Sequence, residues 1–205
     1  VPLPHPPLLL VTDRRQARGD LVDVVRAAVA GGCRWVSLRE KDLGEGEQVA
    51  LALRLRRALP QEVRLTVHGA PAVARRAGLD GVHLAAGQAP AGAEGLIGRS
   101  VHSPAEVRAI DAGRVAYAIA GPFAETASKP GYGPALGRAG LAAIVAASSV
   151  PVLAIGGIEP SNVGDCLAAG AAGVAVMGSI MRAADPAAEM ARLVATLAGA
   201  QPRGR

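Results

Sequence analysis

Short β-like runs alternate with helical patterns along the whole 205-residue chain, and there are eight of them. The strand candidates are 8–12 (LLLVT), 34–39 (RWVSLR), 63–67 (VRLTV), 80–84 (DGVHL), 96–100 (LIGRS), 114–119 (RVAYAI), 151–155 (PVLAI) and 173–177 (GVAVM). Strands separated by helix-length segments imply parallel pairing, because a parallel neighbour is reached only through a crossover connection. Eight such units in about the minimum length predict a single-domain α/β fold, a closed (β/α)8 TIM barrel over 8–198. An open doubly wound sheet is compatible with the same alternation; the regular count favours closure. Residues 1–7 are expected to form a disordered or extended N-terminal tail and 199–205 a C-terminal tail.

The intervening segments carry helix signals of their own. Leu21, Val24, Val25, Ala28 and Val29 follow the i, i+3, i+4, i+7 pattern behind Asp20, and Gly31-Gly32 ends it. Ser103-Pro104-Ala105-Glu106 combines a capping box with proline at the first helical position. Asp185-Pro186 opens a last helix with the stripe Met190, Leu193, Val194 and Leu197. The Gly- and Ala-rich stretch 85–95 is expected to hold a degenerate helix at most.

Composition removes several classes of function. Trp35, Tyr117, Phe123 and Tyr132 are all the aromatics, too few for a base-stacking platform. The net charge of +5 is scattered among short arginine groups, which argues for solvated helix faces and a field mildly attractive to anions rather than a nucleic-acid surface. Cys33 and Cys166 show neither C-x-x-C nor metal-ligand spacing, so no zinc site or disulfide is expected. The longest apolar stretch, 141–158, is broken by Ser148, Ser149 and Pro151, and the start is proline-rich rather than a signal sequence. A soluble cytoplasmic protein with no nucleic-acid or membrane partner is expected, and a homo-oligomer is left open.

In such a barrel, chemistry sits at the carboxyl ends of the strands. The glycine turns AIGGIEPSN (154–162) and VMGSI (176–180) follow the last two strands, and glycine lets backbone N–H groups approach an anion, so Gly156, Gly157, Gly178 and Ser179 are the expected phosphate site. Tight strand-to-helix turns need the same residues. Alternation puts Ser37, Arg39 and Lys41 on one side of the second strand end, with two cations suited to phosphate or diphosphate; a solvated strand end paired with Glu40 would look alike. The 121–133 loop offers Thr126, Ser128 and Lys129 as donors, or is an ordinary surface loop. His68, His83 and His102 fall near successive strand ends; His83, inside an apolar strand, reads as a satisfied structural group, leaving His68 and His102 for acid–base work.

LLLVTD (8–13), VSLREK (36–41), GVHL (81–84), IGRSVHS (97–103), GPFAETASK (121–129), PVLAIGGIEPSNV (151–163) and GVAVMGSI (173–180) together resemble the thiamine phosphate synthase and TenI family over roughly 8–198. The resemblance implies a barrel acting on thiazole phosphates. The synthase joins a pyrimidine pyrophosphate to a thiazole phosphate using magnesium, and on this pattern Arg39 and Lys41 match its diphosphate cations. Ser100 matches a polar residue near the bridging chemistry, Thr126, Ser128 and Lys129 the thiazole and phosphate loop, and Gly157 with the 178–180 turn the phosphate cradle.

Departures concern the metal. His68-Gly69 stands where the synthase pattern has Asn-Asp, Gln88 where a second aspartate is usual, and Ser37 where glutamine is expected. Magnesium wants hard anionic oxygens, so the resemblance is drawn to the TenI branch, which isomerises a thiazole carboxylate phosphate without metal. The expected function is therefore a cofactor-free thiazole tautomerase, an isomerase. His102 or His68 would move the proton, because that branch's histidine position is Pro122 here. The alternatives are a divergent magnesium-dependent synthase and a noncatalytic barrel binding the same small thiazole or thiamine phosphates.

Overall fold

A computed structural model describes residues 2–125 and 134–200. Eight parallel strands close into one barrel in sequence order: β1 (Leu8–Val11), β2 (Trp35–Leu38), β3 (Arg64–His68), β4 (Gly81–Leu84), β5 (Leu96–Val101), β6 (Tyr117–Ala120), β7 (Val152–Ile155) and β8 (Gly173–Val176). Closure is made by β1 against β8, with Leu9 opposite Ala175. The helices are α1 (Leu21–Ala30), α2 (Glu45–Ala58), α3 (Pro71–Ala77), α4 (Pro104–Arg108), α5 (Gly137–Ala146), α6 (Val163–Ala168), the single turn α7 (Gly178–Met181) and α8 (Pro186–Ala200). The closed order excludes the open doubly wound sheet.

Local chemistry sets the helix ends. The Asp20 carboxylate accepts from Val22 N at 2.9 Å and starts α1. Ser103 Oγ accepts from Glu106 N, while the Glu106 carboxylate reaches back to His102 N at 2.6 Å, one residue before the cap. The capping pair thus also fixes the backbone of a rim histidine. One strand boundary differs from expectation. β6 begins at Tyr117 rather than at 114, because Arg114 N and Val115 N are spent in a turn on Asp111 O. Residues 85–95 contain turns and no helix, so the crossover from the carboxyl end of β4 to the amino end of its parallel neighbour β5 is made without one.

Every strand presents alternate residues to two different cores. Leu8, Leu10, Val36 and Leu38 pack outward with Val25, Leu55, Leu193 and Leu197 of the helices. Leu9, Val11, Trp35, Leu96, Tyr117, Ile119, Leu153 and Ala175 fill the barrel interior. Each fully buried aliphatic side chain contributes about 1.5–3 kcal/mol, which lets a chain poor in aromatics hold together on Leu and Val. The two large rings inside meet edge-on, Trp35 on Tyr117 at 4.7 Å between centroids. Space for Tyr117 comes from Gly98 on the neighbouring strand, where a Cβ would lie 2.1 Å from Tyr117 Cζ.

Candidate active site

The carboxyl end of the barrel opens into a cavity of about 300 Å³, near the lower bound for small-ligand sites. Its walls include His68, His83, Ser100 and His102 on one side and Gly156, Gly157, Gly178 and Ser179 on the other. Strand register explains the first group: His68 pairs with His83 and His83 with Gly98, and Ser100 is the next position on the Gly98 side of β5, two residues nearer the mouth.

The histidines differ sharply. His83 is almost fully buried, and burial pushes its pKa down to about 3, so the ring is neutral near pH 7. Its Nε2 lies 2.9 Å from Ser100 Oγ, while Nδ1 has no partner among the described residues. Trp35 Nε1, Ser37 Oγ and Tyr117 Oη, inside the barrel below it, are likewise buried without a partner among the described residues. A stack of rings thus runs from the polar interior to the mouth: His83 lies 5.6 Å from Tyr117 and 4.5 Å from His68, centroid to centroid. His102 Nδ1 donates to Gly121 O at 2.8 Å; a carbonyl only accepts, so in the neutral ring Nε2 is the basic nitrogen.

On the glycine side, Gly156 and Gly157 have φ of +96° and +64°. A Cβ would lie 2.8 Å from Pro122 Cα at the first and 2.6 Å from Glu125 O at the second. Both glycines therefore serve close passage of the chain that leaves β6, and the same bareness leaves main chain lining the cavity.

A second cleft of about 280 Å³ lies beside the ends of β1 and β2, lined by Asp13, Arg15, Arg39, Glu40, Lys41 and Asp42. Its framework is Glu40, whose carboxylate is buried and accepts from Thr12 Oγ1 at 2.7 Å and from Arg14 N at 3.1 Å. Arg14 also grips Asp42 with both guanidinium nitrogens at 2.8 Å, and this holds the Asp42 pKa down to about 2. Glu40 is thus tied to the β1 loop rather than to its sequence neighbours Arg39 and Lys41.

The expected site is therefore divided in two. His68, His102, Ser100, Gly156, Gly157, Gly178 and Ser179 line the central cavity; Arg39 and Lys41 line the cleft. Ser37 joins neither, since its hydroxyl is fully buried on the same side of β2 as Trp35. Thr126, Ser128 and Lys129 lie outside the described residues. Sequence reasoning set His83 aside as a satisfied core group, yet it lines the cavity and touches Ser100; aligning β3, β4 and β5 by register is the signal that finds it. Arg15 and Glu40 were not singled out as site residues, because their neighbours in space are distant in sequence.

Fold and site together define a (β/α)8 barrel whose rim, among the described residues, carries a central cavity and a separate charged cleft. The sequence profile of the thiamine monophosphate synthase family matches residues 8–180, and the chain belongs to that family. A putative thiamine-phosphate synthase of Geobacter sulfurreducens is 41% identical over 199 residues, covering 93% of each chain. The thiamine-phosphate synthase of Methanoculleus marisnigri is 39% identical over 97% of this chain and 98% of its own. A solved thiamine phosphate pyrophosphorylase from Pyrococcus furiosus superposes with a TM-score of 0.83 at 28% identity, over 95% of this chain and 96% of that one.

These relatives overturn the tautomerase expectation: what they are named for is the synthase, and nothing in them supports an isomerase branch. Pro122, which lines the cavity where that branch's histidine was expected, agrees with the correction, since proline carries no proton to transfer. No helix among the described residues is long and apolar enough to cross a membrane.

Family chemistry implies magnesium at the ends of β3 and β4, and the donors there do not fit it. Gly69 has no side chain, and His68 is stacked on His83. Gln88 spends its amide on a bridge, Oε1 accepting from Ala85 N at 3.2 Å and Nε2 donating to Gly69 O at 3.0 Å. Among the described residues no group of three or more His, Cys, Asp or Glu side chains could hold a metal ion. Neutral amide and imidazole groups are poor substitutes for the carboxylates that magnesium prefers.

Proposed function

We propose that this protein is a thiamine-phosphate synthase, a transferase in which a thiazole phosphate displaces diphosphate from a pyrimidine pyrophosphate. The bond from the pyrimidine's carbon to the diphosphate oxygen breaks, a bond from that carbon to the thiazole forms, and inorganic diphosphate leaves. One observation carries the reading: the rim holds two cavities of similar size but different chemistry. A one-substrate isomerase needs one; a transferase whose substrates each bring an anionic group needs room for two.

In this assignment Arg39 and Lys41 bind the diphosphate, and Gly156, Gly157, Gly178 and Ser179 receive the thiazole phosphate. Ser100, oriented by the neutral His83, faces the reacting centre; His68 and His102 form the polar wall opposite the glycine turns. No step is routed through a metal ion. The test is to mix both substrates with the protein and follow thiamine phosphate by mass spectrometry alongside diphosphate release. Equal amounts of both products, with each substrate required, are expected; absence of product above the buffer control overturns the reading. The missing metal carboxylates favour one competitor, a noncatalytic binder, which would hold both substrates in that assay without converting them.

A further inference from the structure

The chain between β1 and α1 borders both cavities. Asp13 and Arg15 line the cleft. Farther along, Arg18 N donates to Met181 O at 3.1 Å, and Met181 closes α7, whose Gly178 and Ser179 line the central cavity together with Arg182 just after it. The backbone of this loop is therefore held at its cleft end, where Arg14 N donates to the Glu40 carboxylate at 3.1 Å, and at its cavity end, where Arg18 meets α7.

Side chains complete the span. The Arg182 guanidinium donates to Gln16 Oε1, and Gln16 Nε2 donates to Asp13 Oδ2 at 2.6 Å. Asp13 Oδ1 also accepts from Arg15 N at 3.2 Å. An arginine only donates and an ionised aspartate only accepts, so the group between them must do both, as a primary amide does. Each bond has a charged partner, which makes it stronger than one between neutral groups, and bonds in a chain polarise one another. A cation on the wall of one cavity is thus joined through a single amide to a carboxylate on the wall of the other.

Arg182 is exposed, and Gln16 and Asp13 are half-buried. Fixing long side chains of this kind costs rotamer entropy. An anion seated at the Gly178–Ser179 turn shares its cavity wall with Arg182, and a guanidinium has five N–H donors, enough to serve an anion and Gln16 together. Ordering Arg182 orders Gln16 and, through it, Asp13. An anion then entering the cleft meets a wall already set, with the Asp13 charge drawn toward the Gln16 amide. Cooperativity of this kind needs no large movement, and linkage makes it equal in both directions. Direct repulsion between two anions acts the opposite way, so the sign of the effect discriminates.

We infer that Arg182 and Gln16 are positioning residues that couple the two cavities, so that an anion held in one tightens the binding of an anion in the other. This rests on the synthase reading only in giving each cavity an anionic ligand.

The experiment is calorimetric titration of the full chain with thiazole phosphate, without and with saturating inorganic diphosphate. Thiazole phosphate is expected to bind about fivefold or more tightly when diphosphate is present. Arg182→Ala and Gln16→Ala should each bring that ratio close to one, and the double variant should do no more than either. Gln16→Glu keeps an acceptor for Arg182 and loses the donor to Asp13, so it too should abolish the ratio. Arg18→Ala, whose link to α7 is through the backbone, should keep it. Hydrogen exchange in residues 13–18 should slow when thiazole phosphate alone binds the parent, and not in Gln16→Glu. A parent ratio of one or below, a ratio unchanged in the Arg182 and Gln16 variants, its loss in Arg18→Ala as well, or exchange indifferent to ligand overturns the inference. Absence of thiamine phosphate formation with the ratio and its variant dependence intact removes the synthase reading and leaves this one standing. Turnover with a parent ratio of one does the reverse.

Discussion

The β1–β2 rim and the β3–β5 rim handle polar groups by opposite physics. In the first, a buried carboxylate organises the loops and the cations stay in contact with water. In the second, the titratable ring itself is buried: His83 is held neutral, stacked between His68 and Tyr117 and touching Ser100. The lesson is that exposed charge and buried dipoles are kept apart. An exposed cation can change partners as ligand arrives, whereas a buried neutral histidine fixes a hydroxyl in one place.

Removing the organiser of the first rim should do the most damage. Glu40→Ala strands Thr12 Oγ1 and Arg14 N, and breaking a buried pair of this kind costs about 3 kcal/mol, discounted from the fully buried case because Arg14 is one-third exposed. Denaturant unfolding should show that loss, with diphosphate affinity falling alongside; an unchanged midpoint would mean that Glu40 does not organise the cleft.

Removing a cation should instead leave stability alone and weaken catalysis. Arg39→Ala is expected to lower kcat/KM for the diphosphate substrate by an amount equivalent to about 2 kcal/mol, with little change in KM for the thiazole phosphate. Equal losses for both substrates would break the division between the two cavities.

The second rim should show itself through pH. His83 has a folded pKa far below its unfolded value near 6.5, so the unfolded chain binds the proton more readily. The stability of neutral His83 is fully present above about pH 6.5 and is lost as pH falls toward 3, at about 1.4 kcal/mol per pH unit. His83→Gln should flatten this part of the stability profile, with His68, Ser100 and Tyr117 its contacts in both forms. A parent profile level between those limits would show that His83 is not buried as a neutral ring.

The smallest effect is expected at the bridge between β3 and β4. Gln88→Ala gives up two side-chain hydrogen bonds on an exposed loop, about 1 kcal/mol. Faster hydrogen exchange confined to the loops around Gly69 and Ala85 would report it; exchange unchanged there would show that the bridge does not join them.

Much of the barrel is legible in the chain because each strand is bounded by turn residues and each helix by caps that act locally, as Asp20 and Ser103 do. The start of β6 is not, since whether Arg114 and Val115 join the strand depends on a turn formed with Asp111. Candidate site residues divide along the same line. The glycine turns and the Arg39–Lys41 pair announce themselves by composition at a strand end. Glu40 and His83 do not, because their partners Thr12, Arg14 and Ser100 arrive from other strands and only the register brings them within reach. Magnesium ligands are the converse case, where sequence alone flagged the replaced carboxylates and the structure supplied what took their place.

The most direct measurement is a competition titration: saturate the protein with inorganic diphosphate in chelator, then titrate thiazole phosphate. Two separate cavities predict that the second ligand binds with one site per chain and an affinity no weaker than in the absence of diphosphate. Mutual exclusion of the two ligands would contradict the account.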